Sequence, residues 1–172
     1  MLVDWVRQKH QGQVIRRSGR PYFEHLAAVA AMAAPFTHFA YEIGLCHDLL
    51  EKTGTTSEEL MQSLLHFGFH IDQAAYITDV VVELTDVFTK SAYPLESKED
   101  RKQKEAERLI NSSAGAQTVK YADLADNIQW MLKYDKQLNG YLLRKKTLMV
   151  KMSNGNEELR RQVLDTIDRL LA

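Results

Sequence analysis

A chain of 172 residues with 45% hydrophobic and 26% charged side chains has the apolar content for a packed core, which excludes a disordered chain. Its net charge of −1 gives no overall field for nucleic acid or an anionic membrane. No apolar run approaches the about 20 residues that span a bilayer. One cysteine, Cys46, rules out an internal disulfide framework and reads as a small buried hydrophobe in a reducing cytosol. The start "MLVDWVRQKH" lacks the charge-then-apolar order of a secretory signal, so a cytoplasmic protein is expected.

Three prolines and eight glycines punctuate the chain, and the apolar periodicity is helical almost throughout. "MLVDWVRQKHQG" predicts a short first helix, and "QVIRRSGRPY" a basic loop broken by Gly19 and Pro21. "FEHLAAVAAMAA" predicts an Ala-rich helix stopped at Pro35. "HFAYEIGLCHDLLEKT" reads as one largely buried third helix. "TTSEELMQSLLHFG" opens with a capping signature and closes at Gly68. "HIDQAAYITDVVVELTDVF" is a fifth helix, since the length around "VVVEL" argues against a strand. "TKSAYPLESKEDRKQKEAERLI" predicts a loop and then a charged helix that reads as a solvated face. "AGAQTVKYADLADNIQWMLKY", "NGYLLRKKTLMVKM" and "NEELRRQVLDTIDRLL" follow as helices, the last two around the turn "SNGN". The expectation is one all-α domain, residues 1–172, of about eight or nine helices.

The chemistry sits where polar residues interrupt apolar helices. His25 and His47 lie in apolar runs, with Asp48 following His47 and Glu51 four residues on. "KYADLADN" puts Asp123, Asp126 and Asn127 on one helix face. Imidazoles and carboxylates are costly among Leu and Ala unless something pairs with them. Two imidazoles and two carboxylates form a mixed nitrogen–oxygen set that suits Mn, Fe, Co, Ni or Zn better than Mg or Ca. Hydrogen-bonded core histidines are the other reading of the same residues.

The order "KHQGQVIRRSGRPYFEH", "CHDLLEKTGTT", "VKYADLADN" closely resembles the HD-domain hydrolases of the RelA/SpoT type, in particular the small stand-alone alarmone hydrolases without a synthetase domain. The resemblance spans roughly residues 5–165. It implies an all-α HD-domain bundle with Mn²⁺, or another divalent transition metal, held by His25, His47, Asp48 and Asp123. The implied reaction removes the 3′ pyrophosphate of ppGpp and pppGpp; some animal members act on the 2′ phosphate of NADPH. It further implies Arg16 against the guanine base, Arg17 and Ser18 on the same nucleotide loop, Asn127 near the ribose, and Lys98, Arg101 and Lys102 near the pyrophosphate. A planar guanidinium stacking on a purine is physically sensible, although "RRSGR" by composition alone reads as a solvated loop.

The chain departs from the family at one telling place. Where the family has His-Asp-x-x-Glu-Asp, this chain has "HDLLEK". Glu51 is kept as the general base or water-orienting group, but Lys52 replaces an acidic residue. Lys52 then binds a substrate phosphate, slows hydrolysis, or points to solvent. Arg20 adds positive charge to the nucleotide loop. No Gly-rich phosphate loop is present, so this is not a P-loop enzyme. The expected activity is metal-assisted hydrolysis of guanosine alarmones. The alternatives are a non-catalytic nucleotide sensor, a partner-binding antitoxin to a paired alarmone-synthetase toxin, and a hydrolase of ppApp or NADPH.

Overall fold

The computed structural model describes residues 1–134 and 138–172. Among them run α1 (Leu2–Lys9), α2 (Phe23–Ala33), α3 (Ala40–Cys46), α4 (Leu49–Lys52), α5 (Ser57–His66), α6 (Ile71–Leu84), α7 (Lys98–Ile110), α8 (Ala114–Tyr134), α9 (Leu138–Lys151) and α10 (Glu157–Leu171). The described residues form no strand; their only β pairing is an isolated antiparallel bridge between Val14 and Pro21. The all-α expectation holds, with nine longer helices and the single-turn α4.

Local chemistry sets the helix ends. Thr56 Oγ1 accepts the Glu59 amide at 3.1 Å, as the capping signature required, and Ser97 and Asn156 cap α7 and α10 in the same way. The third predicted helix is not continuous. It ends at Cys46, and His47 and Asp48 form a turn before α4, with Asp48 at φ −103° and ψ 3°. Neighbouring residues of an unbroken helix point about 100° apart, so the break lets His47 and Asp48 turn toward one place.

α2 and α3 lie against each other, and α8 packs along α2, α3 and α6. The α2–α3 approach is made of small residues. A Cβ on Gly44 would come within 2.6 Å of the Ala30 backbone, so only glycine fits there. α8 is buried along most of its first four turns. Its fully buried Gln117 accepts the Asn154 amide, and Tyr121 donates its hydroxyl to the Met152 carbonyl at 2.7 Å, fastening the "SNGN" turn to the core.

The charged face of α7 is not merely solvated. Glu105 accepts the amides of Val87 and Phe88, and Arg108 donates to the carbonyls of Glu83 and Thr85. Lys104 lies over the rings of Phe88 and Tyr93. These groups latch the segment 85–97 to the helix because its backbone amides and carbonyls otherwise have too few partners.

Candidate metal centre

Three elements bring the chemistry together. α2 presents His25 near its start, the α3–α4 break presents His47 and Asp48, and α8 presents Asp123 from its middle. His25, His47 and Asp123 are only 7%, 4% and 5% exposed. One ligand atom from each lies within 4.8 Å of the others, so the trio can hold a divalent metal. Asp123 Oδ1 is the hub, 3.3 Å from His25 Nε2 and 3.8 Å from His47 Nε2. Asp48 borders the group, with Oδ2 3.5 Å from His47 Nε2.

Hydrogen bonding points the histidines inward. His47 Nδ1–H donates to the Gly44 carbonyl at 2.8 Å, which leaves the lone pair on Nε2. That buried Nε2 faces two carboxylates and has no hydrogen-bond partner. A lone pair buried against anions is unfavourable without a cation between them. This orphaned atom, with the nitrogen–oxygen donor set, fits a transition metal better than a satisfied core histidine.

The surroundings supply countercharge. Burial pushes the Asp123 carboxyl up, but Lys120, His25 and His47 outweigh it and hold the group well below the usual carboxylate range. Lys120 Nζ is 2.7 Å from Asp123 Oδ2. Burial also raises Asp48, yet His47 and Lys52 bring it below its ordinary value. The Tyr22 hydroxyl donates to Asp48 Oδ2. Burial lowers His25, but hydrogen bonds to Asp123 and Asp126 carry it up to about 9.

The residues implied around this centre are spread more widely. Lys52 Nζ lies 2.7 Å from Glu51 Oε1 and 3.6 Å from Asp48 Oδ1, so the ammonium neither points away nor stands free. Asn127 Nδ2 donates to Asp123 Oδ1 at 2.6 Å, placing its amide at the hub. Arg16, Arg17 and Ser18 occupy the loop between α1 and α2. Arg16 is exposed, Arg17 adopts φ 67° and donates to the Tyr134 carbonyl, and the Ser18 hydroxyl donates to the Ile15 carbonyl. Lys98 and Lys102 are exposed on α7. Arg101 instead donates to the carbonyls of Tyr93 and Glu96, which makes it part of the latch on segment 85–97.

Four further residues belong to the surroundings of the centre and were not assigned from sequence. Tyr22 and Lys120 each lie three residues before an expected ligand, one helical turn away, and that spacing was a usable signal. Asp126 was visible on the Asp123 face but had no partner until α2 was placed beside it. Lys145 on α9 had no local signal. Burial and the charge of Lys120 lower its ammonium to about 8.

Neither a family model nor a curated protein matches the sequence. Solved structures match it in shape. One, described as a metazoan ortholog of SpoT that hydrolyzes ppGpp and plays a role in starvation responses, shares 22% identity over 99% of this chain and 94% of its own, with a TM-score of 0.78. Another, a protein of Listeria monocytogenes EGD-e, shares 20% identity over 90% of this chain and 100% of its own, with a TM-score of 0.62. At such identities the likeness establishes the fold: this chain folds as the SpoT-like ppGpp hydrolase does, along nearly its whole length.

Proposed function

We propose that residues 1–172 form one HD-type phosphohydrolase domain that removes the 3′ pyrophosphate of guanosine alarmones, ppGpp or pppGpp, with Mn²⁺ as its metal. The observation that carries this reading is the buried His25, His47 and Asp123 cluster with its orphaned His47 Nε2. Its support is that the same fold belongs to a protein described as hydrolysing ppGpp.

His25, His47 and Asp123, with Asp48 at the border, would hold the metal. Bound there, a divalent ion supplies Lewis acidity and lowers the pKa of water, which attack on phosphorus near neutral pH requires. The chain's own groups do the rest. Glu51 orients the attacking water and accepts its proton. The bond between the 3′ oxygen and phosphorus breaks, and the oxygen leaves with a proton from solvent. Lys52, Lys120 and Lys145 lie beside the centre as cations for the transferred pyrophosphoryl group, with Lys102 near Lys145. The Arg16–Ser18 loop and Asn127 receive the nucleoside.

One observation favours a second reading. Lys52 is hydrogen-bonded to Glu51, the expected base, and stands near Asp48. A protein in which that ammonium stays in place would bind the nucleotide and not cleave it, acting as a sensor or as the partner of a toxin. Incubating the protein with Mn²⁺ and a panel of ppGpp, pppGpp, ppApp and NADPH separates the readings. Release of pyrophosphate from ppGpp or pppGpp supports the proposal. Tight binding without turnover supports the sensor, and release of phosphate from NADPH alone moves the substrate.

A further inference from the structure

His25 and His47 meet the centre through the same nitrogen, Nε2, but they are held from behind by different groups. His47 Nδ1–H leans on a neutral carbonyl, that of Gly44, at 2.8 Å. His25 Nδ1 leans on a carboxylate, Asp126 Oδ2, at 2.6 Å. The carboxylate comes from α8, one turn beyond Asp123, so a single helix supplies both the oxygen ligand and the brace for a nitrogen ligand. The His25 side chain is 7% exposed and Asp126 26% exposed, so the contact is largely shielded from water.

A carboxylate behind a ligating imidazole does two things. It fixes the proton on the rear nitrogen, so the forward lone pair is free for the metal. It also pushes electron density forward, making that nitrogen a stronger donor than one backed by a carbonyl. We infer that Asp126 is a positioning residue of the metal centre: it orients His25 and strengthens its hold on the ion without touching the ion itself. The inference rests on the metal reading above. It makes His25 the strong imidazole of the pair and His47 the weaker one. It also gives the second aspartate of "ADLAD" a task distinct from that of the first.

The competing role for Asp126 is a plain tie between α2 and α8. D126N separates the two, because its amide oxygen still accepts from Nδ1–H while the negative charge is gone. The measurement is Mn²⁺ affinity by titration calorimetry without nucleotide, beside the melting temperature of the metal-free protein. We expect D126N to stay folded in chelator, melting somewhat below the wild type because it loses the charge that raises His25, and to bind Mn²⁺ about 10- to 100-fold more weakly. D126A should lose affinity to at least the same degree. Proton NMR gives a readout that a structural tie would not move. The far-downfield Nδ1–H resonance expected of His25 against a carboxylate should shift upfield in D126N. Wild type and D126N binding Mn²⁺ equally would overturn the inference while leaving the metal centre intact. A wild type that binds no Mn²⁺ would overturn the metal reading and this inference with it.

Discussion

His25 is held between two carboxylates, one at each ring nitrogen, and its behaviour with pH follows from that. Burial lowers its pKa, yet the bonds to Asp123 and Asp126 raise it to about 9, above the ordinary value of 6.5. A raised histidine contributes stability below the unfolded value and loses it as pH climbs through the folded one. Metal-free protein should therefore lose melting temperature between pH 6.5 and 9. With Mn²⁺ saturating, that slope should flatten, because the ion takes the place of the proton. Thermal melts in chelator across this range check it; a melting temperature that rises through the window would refute the assignment. Lys52 makes the second prediction at this scale. Replacing it with Asp frees Glu51 from its 2.7 Å ammonium contact and gives the Glu-Asp pair of the hydrolases that the sequence resembles. Turnover of ppGpp with Mn²⁺ should rise in K52D, and E51A should lose about 100-fold or more, as for a general base. A fall in K52D would instead make Lys52 a working phosphate ligand.

Among the elements, the α2–α3 contact decides whether the two histidines meet at all. Their rings stand 5.2 Å apart because Gly44 lets α3 press on Ala30. G44A should cost about 1–3 kcal/mol of stability through overpacking. It should also weaken Mn²⁺ binding by moving His47, whose Nδ1 partner is the Gly44 carbonyl. Denaturant melts together with a Mn²⁺ titration measure both effects, and a variant as stable as wild type would show that the close approach is not needed. The break after Cys46 belongs to this scale too. Periodicity continued the apolar pattern straight through "GLCHDLLEK" and predicted one helix. No residue in that stretch announces the turn, since neither Gly nor Pro stands at 47 or 48. Only packing against α2 and α8 shows what the turn accomplishes.

For the molecule as a whole, a buried centre spanning α2, the α3–α4 break and α8 would make a bound metal a cross-link of the native state. An ion that binds the folded chain alone stabilises it by mass action, about 2.7 kcal/mol at a concentration 100-fold above its Kd. For a chain of this size that corresponds to a rise of about 5–10 °C in melting temperature. Scanning calorimetry with Mn²⁺ and then with excess chelator checks it, and an unchanged melting temperature would argue against the centre. The net charge of −1 offers no global attraction for a polyphosphate. Lys52, Lys120 and Lys145 supply local positive charge around the centre, three lysines that chain order scatters over 94 positions.

The helical class, the caps at Thr56 and the apolar faces were legible in the sequence because they depend on neighbours within one or two turns. His25, His47 and Asp123 stood out in the sequence as polar residues in apolar helices, and it was the family resemblance that implied them together as ligands. The roles of the supporting groups were not legible. Asp126 looks like any polar residue on α8 until His25 lies 2.6 Å away, and the bond from Arg101 to the Glu96 carbonyl has no signal in the sequence. Lys145 is an ordinary surface lysine by pattern, and burial lowers its ammonium toward the neutral range. Side-chain chemistry is written in the chain; which partner each side chain meets, and how much water stays between them, is decided only when helices distant in sequence pack together.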